Sequence, residues 1–162
     1  MGEWNHFDDD GKPSMVDIGG KPPTSRTAAA EGWVDLPEAI YDAITKNGVS
    51  KGDPVMAAEL GGIMGAKRTS ELIPLCHGIR LDKVSVRCEI PEGARSLRIV
   101  CEAAARDSTG VEMEALTGVS VAALVFYDMC KGIDKGMVIR GVRLLKKTGG
   151  KSGTWKAGGQ FG

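Results

Sequence analysis

Two segments of strict alternation, residues 83–90 and 96–105, constrain the fold of this chain more than any other feature. In the first, Val84, Val86, Cys88 and Ile90 fall on one side, and Lys83, Ser85, Arg87 and Glu89 on the other. In the second, Leu97, Ile99, Cys101 and Ala103 oppose Arg98 and Glu102. A period of two gives a strand one apolar and one polar face. Pro91-Glu92-Gly93 between the runs is turn chemistry, so the pair predicts an antiparallel hairpin with one buried face. Something must cover that face. The segment from Val111 to about Cys130 can do so. It lacks proline, has Gly118 as its one glycine, and carries Leu116, Val119, Ala123, Phe126 and Cys130 at helical spacing.

The flanking segments complete an order. Thr24–Leu36 predicts a strand that ends at Pro37, where a short amphipathic helix begins and runs to Lys46, closed by Asn47-Gly48. Asp53-Pro54 is an N-cap followed by proline and opens a second helix that runs to about Lys67. Met137–Leu145 predicts the last strand. The order β-α-α-β-β-α-β is one short helix beyond βαββαβ, which predicts an α+β ferredoxin-like sandwich. Its helices would cover one face of an antiparallel sheet, leaving the other to water or a second subunit. Residues 1–23 are polar and read as a mobile arm. Residues 24–162 read as one domain with a Gly/Lys-rich tail from Thr148.

Charge narrows the function. The chain has 21 basic and 21 acidic residues among 162, against the basic excess of a nucleic-acid or membrane-surface binder. The two halves differ: residues 131–162 carry eight bases and one acid, the first fifty nine acids and four bases. A neutral protein with a basic end suits a small anionic ligand. Glycine is high, at 23 residues, which suggests loops whose backbone approaches something closely. No uninterrupted apolar run reaches the roughly 18 residues a bilayer span needs. The acidic start is unlike a signal peptide, so a cytoplasmic location is expected. Cys76, Cys88, Cys101 and Cys130 are far apart and only His6 and His77 could join them, so no metal centre is expected.

Taken singly, the polar motifs have ordinary explanations. Glu112 and Glu114 in a helix's first turn interact favourably with its dipole, as do Lys67 and Arg68 at the end of another. Asp128 and Lys131 stand at i and i+3 and can pair on the surface, although an acid can also orient and tune a lysine for proton transfer. Gly149-Gly150-Lys151-Ser152 is not a P-loop, because Leu145 stands where the first glycine belongs and no helix follows. Backbone N–H groups there could still cradle phosphate. An RNA-binding sheet would need stacking aromatics, and residues 83–90 and 96–105 contain none.

Together these motifs carry a resemblance. Met15-Val16-Asp17, Lys51-Gly52-Asp53, Ala66-Lys67-Arg68-Thr69, Leu72-Ile73-Pro74-Leu75-Cys76-His77, the string Thr109 to Thr117 (TGVEMEALT), Tyr127-Asp128-Met129-Cys130-Lys131 and Gly149-Gly150-Lys151-Ser152-Gly153 occur in order. The chain resembles the cyclic pyranopterin monophosphate synthase family, the C proteins of molybdenum-cofactor biosynthesis, from about residue 14 to 155. Gly78 stands after His77 where that family commonly has proline.

The resemblance implies a lyase that converts 3',8-cyclo-7,8-dihydroguanosine 5'-triphosphate to cyclic pyranopterin monophosphate and diphosphate. It also implies a ferredoxin-like homohexamer, a trimer of dimers with sites at subunit interfaces, and it makes residues 24–162 the catalytic domain. The family's catalytic acid falls on Asp128 and its essential lysines on Lys51 and Lys131. Its substrate-contacting segments fall on Leu75-Cys76-His77 and Met113-Glu114, and Arg26, Glu112 and Lys147 match pocket positions. Glu112 or Glu114 would accept from the guanidine edge of the base. Arg26, Lys67, Arg68, Lys147 and Lys151 are candidates for the triphosphate. No cofactor is required, although Mg²⁺ could travel with the triphosphate. The competing reading is a regulatory nucleotide-binding module, which would bind without turnover.

Overall fold

The computed structural model describes residues 4–46 and 52–158. Its element order is β1 (Thr24–Asp35), α1 (Glu38–Thr45), α2 (Pro54–Lys67), α3 (Thr69–Leu72), β2 (Lys83–Glu89), β3 (Ser96–Asp107), α4 (Glu112–Cys130), β4 (Val138–Thr148) and β5 (Trp155–Lys156). Five strands form one sheet in the order β2-β3-β1-β4-β5. Every pairing is antiparallel. The order of the first four strands, with α2 and α4 on one face, is the ferredoxin-like arrangement expected from the sequence.

Alternation decides which face the helices take. Ala28, Ala30 and Val34 of β1 and Leu97, Ile99, Cys101 and Ala103 of β3 are buried. They pack against Ala115, Val119, Ala122 and Phe126 of α4, which belong to the same core. Asp53 caps α2: its Oδ1 accepts from Val55 N–H at 2.8 Å and Met56 N–H at 3.2 Å. Lys51, two residues earlier, lies outside the described residues. The α2–α4 contact is close because both helices are small where they meet. A Cβ added to Gly62 would lie 2.8 Å from the carbonyl oxygen of Gly118. Several glycines that composition assigned to loops therefore stand inside helices, where the missing side chain lets two backbones approach.

The opposite sheet face is covered by its own charges. Glu31 is 4% exposed, and Arg98 Nη2 and Arg143 Nη2 lie 2.9 and 2.8 Å from its carboxylate. Burial pushes the Glu31 carboxyl up, but hydrogen bonds from Arg143 and Arg98 outweigh it and leave the group below its ordinary value. Arg98 and Arg140 flank the Trp33 ring, each 5.8 Å from its centroid. Arg140 also pairs with Asp35 at 2.8 Å.

Three details differ from the sequence-based expectation. β4 runs three residues beyond Leu145, because Lys146, Lys147 and Thr148 pair with Ala29, Ala28 and Thr27 of β1. The basic tail holds β5, which turns back through Gly149, Gly150 and Gly153, all at positive φ, to pair with Lys146 and Lys147. One further helical turn, α3, follows α2. Its Thr69 Oγ1 donates to the Ala66 carbonyl at 2.9 Å. Among the described residues, α4 is the one helix whose length and mean hydropathy of 1.4 match a membrane span. It packs instead as the central helix of the sandwich.

Candidate active site

A cavity of ≈ 450 Å³ opens where α4 begins. Glu112, Met113 and Glu114 line it from the first turn of α4, and Thr109 and Gly110 from the approach to that helix. Leu75, Cys76, His77 and Ile79 contribute from the loop between α3 and β2. The Glu112 carboxylate occupies the space where a Cβ at Gly110 would stand, so a side chain there would make Glu112 move. Asn5, His6, Val16, Ile18 and Lys21 of the segment before β1 complete the wall. The sequence reading missed all five as site residues. Val16 had a signal, since it lies in the Met-Val-Asp string, and His6 had one as one of two histidines.

Glu114 is 3% exposed, and its Oε2 has no hydrogen-bond partner among the described residues. Burial raises its carboxyl to about 7, with the nearby negative charges of Glu112 and Asp107 adding to the rise. Burial also raises the Cys76 thiol, and Glu114 reinforces that shift. A carboxyl poised there can accept a hydrogen bond when ionised and donate one when protonated.

A basic corner adjoins the cavity where β1 begins and β3 and β4 end. Arg26 Nε donates to the Asp107 carbonyl at 3.3 Å, and Nη2 to the Ser108 carbonyl at 3.4 Å. Lys147 donates to the Gly149 carbonyl at 3.3 Å and to Ser152 Oγ. A side chain at Gly150 would collide with the Arg26 guanidinium, so the glycine turn and Arg26 occupy one another's space. Lys151 sits on the exposed turn beside this corner.

Other predicted residues lie elsewhere. Lys67 lines a separate depression of ≈ 340 Å³ with Ile79, Arg80 and Lys83. Arg68 follows α2, its N–H donating to the Gly65 carbonyl at 3.0 Å. Asp128 and Lys131 form a 2.5 Å ion pair at the far end of α4, both more than half exposed. The Asp128 hydrogen bond and charge raise the Lys131 ammonium above its ordinary value, so it holds its proton more tightly than a free lysine. Another depression of ≈ 270 Å³, between Lys83 and Lys146 on the open sheet face, gathers none of the motif residues.

A model of the MoaC family matches residues 15–150. The chain belongs to the MoaC family. Its similarity to individual members extends over nearly all of it. It is 52% identical to a cyclic pyranopterin monophosphate synthase of Rhodospirillum rubrum over 94% of this chain and 92% of that one. Against the protein of that name from Lysinibacillus sphaericus, identity is 46% over 96% and 98%. For the one from Pelobacter propionicus it is 48% over 94% and 96%. The MoaC match begins at Met15 and so takes in Val16, Ile18 and Lys21 of the cavity wall, but not Asn5 or His6.

Proposed function

We propose that this chain is a cyclic pyranopterin monophosphate synthase, a lyase of molybdenum-cofactor biosynthesis. It takes 3',8-cyclo-7,8-dihydroguanosine 5'-triphosphate, closes the cyclic phosphate and releases diphosphate. The observation that carries this reading is the cavity itself. The 75–77 and 112–114 strings of a MoaC chain meet there around a buried, unpartnered carboxyl. The guanidine edge of a guanine-derived ring offers donors to such a carboxyl. The neighbouring corner of Arg26, Lys147 and the Gly149–Gly150 backbone suits a triphosphate, with Lys151 beside it.

The chemistry moves protons among nitrogen, oxygen and water while diphosphate leaves. Lys131 is one proton-transfer group, and Asp128 holds its ammonium in place and adjusts its proton affinity. Lys51 is the second proton-transfer group. Arg26 and Lys147 offset the charge that builds on the departing diphosphate, and Lys67 and Arg68 are further candidates for the triphosphate. Leu75, Cys76, His77 and Met113 shape the ring pocket. A magnesium ion would arrive with the triphosphate as part of the substrate. Among the described residues no three His, Cys, Asp or Glu side chains converge to hold one.

One helix bears both ends of this machinery. Glu114 and Asp128 are separated by about 21 Å at 1.5 Å per residue, too far for one reactive centre. A two-fold pairing that brings one chain's Glu114 end to its partner's Asp128–Lys131 end removes the conflict. The exposed apolar stripe Met56, Leu60 and Met64 on α2 supports burial against further copies, and a hexamer built as a trimer of dimers provides both contacts. A cytoplasmic location accords with this reading. The test is direct. Purified protein incubated with the cyclised dihydro-GTP substrate should yield the cyclic monophosphate and diphosphate by mass spectrometry. Binding without turnover would favour a regulatory nucleotide-binding module instead.

A further inference from the structure

The segment before β1 adds side-chain N–H donors to a cavity whose other described walls supply one, His77. Glu112 and Glu114 chiefly accept hydrogen bonds once ionised. They match the N–H donors on the guanidine edge of a guanine-type ring, but the ring carbonyl needs a donor in return. Asn5, His6 and Lys21 line the same cavity, and each carries an N–H. His6 and His77 are the only histidines in the chain. Both are at this cavity, one from each side of the fold's first strand.

The backbone around His6 is held by a local hairpin. Ser14 N–H donates to the His6 carbonyl at 2.9 Å, and Phe7 and Pro13 form an antiparallel bridge. Asp8 Oδ1 accepts from Asp10 N–H at 3.1 Å and Lys12 N–H at 2.8 Å. Gly11 closes the turn at φ +75°. Farther along, Ser108 Oγ donates to the Lys21 carbonyl at 2.6 Å and ties the segment to the approach to α4. His6 thus lines the cavity from a self-braced turn, far in sequence from the α4 acids that line it too.

We infer that residues 5–21 form the donor half of the substrate pocket, and that His6 determines specificity by hydrogen-bonding the ring carbonyl of a guanine-type base. The inference rests on the synthase reading and extends it to a residue ahead of the family match. A site built to hydrogen-bond one polar edge rejects analogues that lack it, because its own polar groups are then left unpaired.

The test compares wild type, His6→Ala and Trp4→Ala, Trp4 lying on the same arm with 87% exposure. Three nucleotides compete with turnover of the natural substrate: GTP, inosine triphosphate and 2,6-diaminopurine riboside triphosphate. Inosine keeps the carbonyl and loses the amino group, and diaminopurine does the reverse. His6→Ala should raise KM and the GTP inhibition constant about fivefold, the worth of one hydrogen bond between neutral groups. Discrimination between GTP and the diaminopurine nucleotide should shrink by the same factor. Discrimination between GTP and inosine triphosphate should hold, and Trp4→Ala should match wild type. The inference is overturned if His6→Ala keeps KM and both ratios within twofold. It is equally overturned if affinity falls alike for all three nucleotides, or if Trp4→Ala gives the same loss. Wild-type protein that forms no cyclic product would instead sink the synthase reading, and calorimetric binding of the three nucleotides would still judge His6.

Discussion

Burial at the first turn of α4 raises the Glu114 carboxyl to about 7 and leaves its Oε2 unpartnered. The folded state then holds this proton more tightly than the unfolded chain, whose ordinary value is 4.5. The sign follows: the protonated group is accommodated fully below pH 4.5, and stability is lost as pH rises through about 7. A shift of this size corresponds to on the order of 3 kcal/mol. Glu114→Gln, which cannot ionise, should therefore gain on wild type in urea unfolding at pH 8 but not at pH 5. An equal difference at both pH values would mean that the carboxyl is solvated. Lys131 behaves oppositely. Its pair with Asp128 is exposed and screened by solvent, so Lys131→Ala should melt close to wild type. Turnover should nevertheless fall about 10²–10⁴-fold, the usual worth of a positioned acid or base. Activity within threefold of wild type would remove Lys131 from the reaction.

At the scale of elements, the seam between α2 and α4 leaves little room. A Cβ at Gly62 would meet the Gly118 carbonyl oxygen at 2.8 Å, the Ala122 Cβ at 3.0 Å and Val86 Cγ2 at 3.0 Å. A backbone carbonyl cannot swing aside as a flexible side chain can. Gly62→Ala should cost about 1–3 kcal/mol, the usual range for an overpacked core. Gly20→Ala, with nothing within 4 Å of its added Cβ, serves as the control and should leave the denaturation midpoint in place. The seam also bears on function, because a displaced α4 carries Glu112, Glu114, Asp128 and Lys131 with it. Loss of stability without a change at Gly20 is the expected pattern, read from paired urea curves.

At the scale of the whole molecule, the length of α4 becomes a statement about assembly. If each site joins one chain's Glu114 end to its partner's Lys131 end, two inactive variants should complement. Glu114→Ala mixed with Lys131→Ala, after subunit exchange, gives half mixed dimers by random pairing. Each mixed dimer holds one intact site, so about a quarter of all sites should recover. Exchange demonstrated by mass spectrometry with no returning turnover would show that the two ends do not meet across that interface. The charged lattice on the other sheet face makes a separate prediction. The arginines hold the Glu31 carboxyl below its ordinary value, so its stabilisation is present above pH 4.5 and is lost as pH falls through the folded value. Glu31→Gln should therefore weaken the fold at pH 7 and flatten its acid-unfolding profile.

The strands at β2 and β3, the helix α4 and the capped start of α2 were legible in the sequence because each rests on local rules. Period two, period 3.6 and Asp-Pro at a helix start need no knowledge of distant residues. The 75–77 and 112–114 strings were legible as site candidates for a different reason, their resemblance to a family, and the fold brings them to one cavity. What only the tertiary structure decided depends on contacts between residues remote in the chain. β4 extends to Thr148 because β1 offers it partners, and β5 exists because three glycines turn the tail back onto β4. The helical glycines read as loop residues until a second helix was seen packed against them. His6 had no periodicity to mark it, and joins the cavity only when the hairpin at Asp8–Gly11 is laid beside α4. Composition cannot tell a poised carboxyl from an ordinary one, because the perturbation of Glu114 comes from the burial that folding imposes on it.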